Sequence, residues 1–188
     1  MQRRREKILS AALELFDRQG YLGTTVDEIA AQAGVTKRTV YHHMGSKEHI
    51  LLEIHSNFIS EGLARWQEVV EADVAPTELL RRLVQAHVQT TTDHTREIKV
   101  FFEEFKHLNE EDRAEIIAQR VQYEMILQDV LARGIECGEF RDVDIRGTTL
   151  IVLGGLTEVH QWYHVSGALK SETLADFMTA MVLDGVHV

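Results

Sequence analysis

Proline occurs once in these 188 residues, as Pro76, and apolar residues recur at spacings of three and four almost from end to end. Helix interiors exclude proline, and that recurrence marks a helix with one buried face, so the chain is read as all-α. No segment sustains the apolar/polar alternation of β-branched residues that strands favour. The punctuation gives nine helices. The first covers 3–19, with Ile8, Leu9, Ala12, Leu15 and Phe16 on one face and Gly20 as its stop. Thr25 and Glu28 form a capping-box pattern ahead of a helix that runs to Ala33. Thr36 caps a short helix near 37–43, and Ser46 caps a long one over 47–71. Pro76 suits the first turn of a helix to Thr92. Four more are expected: 95–107, 110–136 behind an Asn109 cap, 143–165, and Ser171 to about Leu183. The domain border falls at Gly45-Ser46, dividing residues 1–46 from residues 47–188.

Charge divides near the same place. Residues 1–50 carry eight Lys/Arg against six Asp/Glu, and residues 51–188 carry twelve against twenty-four. A polyanion is therefore expected at the mildly basic head, because screening over ~8 Å lets a local patch outweigh the acidic total. Composition alone is equally compatible with an accident of sequence. Hydrophobic residues at 44% suffice for a core. No run approaches ~18 apolar residues, so no membrane span is expected. The basic start Met1-Gln2-Arg3-Arg4-Arg5-Glu6-Lys7 is followed by no apolar run of about 7–15 residues, which excludes a secretory signal. The single cysteine, Cys137, excludes an internal disulfide framework and a cysteine-based zinc cluster. The expected location is the cytoplasm.

The head contains the one segment with a specific chemistry. Two short helices joined by Gly34-Val35-Thr36 fit a helix-turn-helix, whose second helix enters the major groove of DNA. Gly34 supplies the positive φ and Val35 a buried aliphatic. A helix as short as 37–43 is unstable alone and must be braced, here by Leu13, Phe16, Ile29 and Ala30. Spacing turns Val40 and Met44 toward that brace and Thr36, Lys37, Arg38, Thr39 and His42 outward. Lys37 and Arg38 are the base-reading candidates, since Arg or Lys on guanine O6/N7 is the commonest specific contact. Arg3-Arg4-Arg5 suits either a minor-groove arm or a disordered solubilising end.

The run Ile8-Leu9-x-Ala11-Ala12-Leu13-x-Leu15-Phe16, then Gly20-Tyr21, Thr24-Thr25-Val26-x-x-Ile29-Ala30, Ala33-Gly34-Val35 and Tyr41-His42-His43-x-x-Ser46-Lys47-Glu48, resembles the TetR family of bacterial repressors. Met44 stands where that family usually has Phe. The resemblance implies an all-helical homodimer with three N-terminal helices on DNA. It further implies that Thr25, Thr36, Lys37, Arg38, Thr39, Tyr41, His42 and Lys47 lie at the DNA surface. Tyr41 serves a phosphate contact or core filling, and His42 a phosphate contact or a plain surface position. Lys47 at a helix start opposes the dipole, which a phosphate would offset.

The acidic body offers no catalytic constellation. Glu104-x-x-His107 has the spacing of a helical di-iron ligand pair, but that chemistry needs a second such pair and two more carboxylates. No Gly-rich phosphate loop or nucleophile elbow occurs, so neither an enzyme nor a bound metal or cofactor is expected. Phe101, Phe102, Phe105, Tyr123, Leu127, Trp162 and Tyr163 suit an apolar ligand cavity or an ordinary core. The resemblance favours the cavity, because such repressors commonly bind small molecules there. Gly138-Glu139-Phe140-Arg141 and Trp162-Tyr163-x-x-x-Gly167-x-Leu169 look like the family subset answering to fatty-acyl or steroid-derived coenzyme A thioesters. Arg96, Lys99, Lys106, Arg113 and Arg120 are candidate phosphate partners, with nothing to select among them. Leu153, Leu156, Val159 and Tyr163, with Leu174, Phe177, Met178 and Met181, form stripes broader than one core face needs. Together with the resemblance they give a two-fold four-helix interface, with Gly154-Gly155 permitting close approach; intrachain packing is the other reading.

The expected function is a repressor that binds a palindromic operator as a homodimer and is released by a small apolar effector. A helix over 47–71 would span roughly 37 Å at about 1.5 Å per residue, a stiff connection between head and body. A ligand-independent or activating DNA binder is the alternative, and a helical enzyme or carrier a more distant one. Operator, target genes and effector are not written in the sequence.

Overall fold

The computed structural model describes residues 2–188, the side chain of Gln2 excepted; Met1, the first residue of the predicted basic start and of the predicted 1–46 domain, lies outside the described residues. Among the described residues there are nine α-helices and no strand: α1 (Gln2–Gln19), α2 (Val26–Ala33), α3 (Lys37–Met44), α4 (Lys47–Val70), α5 (Pro76–Asp93), α6 (Thr95–Glu104), α7 (Glu110–Glu136), α8 (Ile145–Trp162) and α9 (Ser171–Val186). One isolated antiparallel bridge joins Phe140 and His187. No helix is long and apolar enough to cross a membrane among the described residues.

Most boundaries follow from side chains within one turn of them. Thr25 and Glu28 cap each other reciprocally at the start of α2, and the Thr36 hydroxyl accepts from the Thr39 N–H at 3.1 Å. Ser46 accepts from His49 at 3.0 Å, and Asn109 from Asp112 at 2.8 Å. Pro76 opens α5, where its missing N–H leaves no bond unmade.

Several expectations are corrected. The helix expected over 95–107 stops at Glu104 and tightens into a single 3₁₀ turn, Phe105–His107. The one expected over 143–165 starts later, at the Asp144 cap, whose carboxylate accepts from the Gly147 N–H. It ends at Trp162, where Tyr163 turns extended at φ −77°. Ser171 does not cap α9. Its hydroxyl lies 2.7 Å from that of Thr92, and Lys170 takes the cap position without a side-chain bond. Val35 is half-buried rather than buried. Arg3, Arg4 and Arg5 belong to the first turns of α1, not to an extended arm, and Arg5 forks onto both carboxylate oxygens of Glu53 at 2.5 and 2.7 Å.

The chain divides into two compact units, Met1–Phe58 with Arg96–Ile116, and Ile59–Thr95 with Ile117–Val188. Ile8, Ala12, Phe16, Ile29, Val40, Met44, Ile50 and Leu51 form the core of the first. In the second, α5 packs against α8 and α9 around Leu79, Leu80, Leu83, Val88, Leu156, Val159 and Leu174. Both α4 and α7 contribute residues to each unit.

Candidate functional site

In the first unit α1, α2 and α3 pack on one another. The αL turn at Gly34, φ 66°, lets the Val35 N–H return to the Ala30 carbonyl at 2.9 Å and redirects the chain into α3. Val40 and Met44 are buried, as spacing required, and so are Phe16, Ile29 and Ala30 of the helices α3 packs on; Leu13 is only partly buried. The opposite face carries Lys37, Arg38, Tyr41 and His42, all exposed, with Thr36 at its start and half-buried Thr39 at its edge. Two cations, a phenol, an imidazole and the Thr39 hydroxyl thus share one helix of eight residues, with the Thr36 hydroxyl at its cap.

These groups are not equally available. Lys37 Nζ donates to Asp27 Oδ2 at 2.8 Å, and that bond raises its pKa. Arg38 makes no ion pair among the described residues. Thr25 is exposed and fixed by Glu28, whose own pKa is lowered by the Thr25 backbone N–H and hydroxyl. Lys47 is half-buried, with Nζ donating to the carbonyls of Tyr21 and Thr24 at 2.7 and 2.8 Å and lying 4.1 Å from the Tyr21 ring centre. Desolvation lowers its pKa. Backbone carbonyls therefore help to offset the dipole it opposes, a role that sequence reasoning missed because no side-chain pattern announces it.

The same unit ties α6 and the 3₁₀ turn to the head. Asp17 of α1 meets Lys99 at 2.6 Å and Arg96 at 3.6 Å. Tyr21 stacks on His107 at 5.3 Å, and His107 is 3.3 Å from buried Glu104. The Glu104-x-x-His107 spacing is thus a packing pair. Phe101 is buried here, with Phe102 at 5.2 Å, Phe105 at 5.0 Å, Phe58 at 6.1 Å and His55 at 4.9 Å between ring centres. Phe102 itself is half exposed.

Tyr123 and Leu127 are buried in the second unit. Around Tyr123 stand two rings the sequence did not single out, Trp66 and His87, with centre separations of 4.8 Å from Trp66 to Tyr123, 5.5 Å from His87 to Tyr123 and 5.6 Å between Trp66 and His87. The fold brings these rings together from α4, α5 and α7, a grouping no local pattern announces. Trp162 is exposed and Tyr163 half-buried where α8 ends. Of the residues expected at a dimer interface, Leu156, Val159 and Leu174 are buried within the single chain. Leu153, Tyr163 and Met178 are half-buried, and Phe177 and Met181 are 60% and 58% exposed. Leu150 and Ile151 on α8 add exposed apolar surface.

Residues 8–54 match "Bacterial regulatory proteins, tetR family", and residues 73–186 match "Tetracyclin repressor-like, C-terminal domain". This chain belongs to the TetR family. A curated TetR relative, the HTH-type transcriptional repressor KstR2 of Mycobacterium tuberculosis, is 31% identical over 192 residues, covering 97% of this chain and 92% of its own length. The crystal structure of the TetR-family regulator PfmR from Thermus thermophilus is 33% identical, with a TM-score of 0.88 over 94% of this chain and 97% of that one. That of AibR in complex with isovaleryl coenzyme A and operator DNA is 29% identical, with a TM-score of 0.83 over 95% and 97%. TetR-family chains are transcriptional regulators rather than enzymes, which agrees with the lack of a catalytic constellation in the sequence.

Proposed function

We propose that this TetR-family chain is an effector-responsive repressor that binds a palindromic operator as a homodimer. Residues 1–46 read the DNA; residues 47–188 bind the effector and dimerise. The observation that carries the reading is the exposed face of α3, with Lys37, Arg38, Tyr41 and His42 on the side opposite Val40 and Met44. Arg38 reads a base edge, Lys37 leaves Asp27 to do the same, and Thr25, Thr36, Thr39, Tyr41 and His42 meet phosphates. Lys47 uses two of its three ammonium donors on backbone carbonyls, and the third meets a phosphate.

The two-fold contact uses Phe177, Met181 and Met178 of α9 with Leu153 and Tyr163 of α8, extended by Leu150 and Ile151; Leu156, Val159 and Leu174 support it from beneath. The effector carries an apolar acyl part and is of acyl coenzyme A type, a class supported by AibR, recorded with isovaleryl coenzyme A, and by the 28%-identical fatty acid metabolism regulator of Bacillus subtilis. Its signal reaches the head through α6, which follows α5 after His94 and meets α1 through Asp17. Arg96 and Lys99 serve that contact rather than a coenzyme A phosphate.

Reciprocal linkage gives the test. If effector weakens operator binding, operator weakens effector binding by the same factor, on the order of 5–150-fold for typical coupling. Titrating isovaleryl coenzyme A into the protein with and without its selected operator should give two different affinities. Equal affinities would remove the switch.

A further inference from the structure

We infer that Trp66 Nε1 and His87 Nδ1 together bind an uncharged carbonyl oxygen of the effector, that of a thioester, ester or ketone. The inference deepens the effector-responsive reading and rests on it. Both atoms are buried in the second unit, and neither has a hydrogen-bond partner. Trp66 itself is 1% exposed. A buried donor left unmade costs about 1–3 kcal/mol, so native proteins carry few of them. Two on neighbouring rings ask for an acceptor that the chain does not supply.

The other polar atoms of the cluster are occupied. Tyr123 donates to the Ile59 carbonyl at 3.1 Å, an approach that Gly62 makes possible: a Cβ there would lie 2.1 Å from the phenol oxygen. His87 Nε2 is 3.1 Å from the Thr157 hydroxyl. In the tautomer this requires, Nε2 accepts from the Thr157 hydroxyl; Nδ1 then carries the proton, and both orphaned atoms are donors. A carbonyl oxygen, with two lone pairs and no proton, matches two donors.

Charge selects against a carboxylate. Burial holds His87 down to about 4, so the imidazole is neutral near pH 7. The charges felt at Tyr123 are those of Arg65 and Glu61, which already pair with each other at 2.7 Å, and Arg65 also meets Asp93 at 3.3 Å. A free carboxylate would lose its hydration without gaining a counter-ion, whereas an ester or thioester carbonyl would not.

The test uses the full chain with three probes of matched chain length: octanoyl coenzyme A, methyl octanoate and octanoate. Calorimetry should find the thioester and the ester bound at least about tenfold more tightly than the carboxylate. Trp66→Phe and His87→Phe, which keep a ring in place, should each weaken ester binding about tenfold, the worth of one buried hydrogen bond. Operator affinity should not change in either. The indole N–H resonance of Trp66, the one lost in Trp66→Phe, should move downfield when ester is added to the wild type, a readout independent of how the variants fold. An unmoved indole resonance, or octanoate bound as tightly as the ester, would overturn the carbonyl anchor while leaving effector response intact. Failure of all three probes to bind wild-type protein that still holds operator would overturn both.

Discussion

Arg38 and Lys37 are adjacent on the exposed face of α3, yet they begin from different states. On the proposed DNA face Lys37 would have to leave Asp27 to reach DNA, while Arg38 has no such pair among the described residues. Arg38→Ala should therefore cost on the order of 1–3 kcal/mol of operator affinity and relax preference at one base pair. A site-saturation binding profile of the mutant reads both, and an unchanged profile would count against base reading. The legible part at this scale was which residues face outward, because helical spacing fixes it. The partners were not legible: those of Lys47 are backbone carbonyls 26 and 23 residues away in sequence.

A second residue-scale expectation concerns acid. His55 has no exposed surface, burial lowers its pKa from 6.5 to about 3, and both ring nitrogens lack a hydrogen-bond partner. His87 falls from 6.5 to about 4. Below 6.5 the unfolded chain takes up protons that the folded chain refuses. The stability associated with these two groups is thus complete above 6.5 and declines as pH falls toward 4 and 3. Each contributes up to about 1.4 kcal/mol per pH unit in that window. Urea unfolding between about pH 6.5 and 5 should show the decline, and His55→Leu should reduce its slope by about one proton. A wild-type stability independent of pH over that range would contradict it.

Among the elements, α6 is the one whose contacts were least legible in the sequence. Phe101, Phe102 and Phe105 suited either a ligand wall or plain core; in the first unit Phe101 meets Phe58, His55, Phe102 and Phe105, and Lys99 and Arg96 of α6 hold Asp17 of α1. If α6 carries the effector signal, Asp17→Asn should leave operator affinity within a few-fold, since exposed ion pairs contribute little to stability. It should shrink the difference between effector affinities with and without operator by about two- to fivefold, against typical coupling. Paired titrations with isovaleryl coenzyme A measure that ratio, and an undiminished ratio would remove α6 from the path.

Helix starts were legible where the cap and its target lie three residues apart, as at Thr25, Thr36, Ser46 and Asn109. Ser171 was misread because its hydroxyl is drawn to Thr92, 79 residues away. Tertiary partners of that kind leave no mark in a local pattern, and the grouping of Trp66, His87 and Tyr123 from three helices is the same case.

For the whole molecule, the all-helical plan and the head were readable because both are encoded in local periodicity and one dense motif. A dimer was expected only from surplus apolar stripes and the resemblance, and folding the single chain buries Leu156, Val159 and Leu174 out of those stripes. Phe177 and Met181 remain exposed, which supports the proposed two-fold contact. Met181→Glu with Phe177→Glu should yield a folded monomer by sedimentation, with operator affinity down at least about tenfold because two linked heads no longer bind together. A double mutant that stays dimeric would place the contact elsewhere.

The most direct test of the account is selection of bound fragments from randomly sheared genomic DNA by the purified chain at moderate salt. Enrichment of a palindrome whose half-site centres lie ~34–36 Å apart, or a multiple of that, on one face of the duplex is the expected result. Recovery of fragments in proportion to their abundance, with no shared sequence, would contradict it.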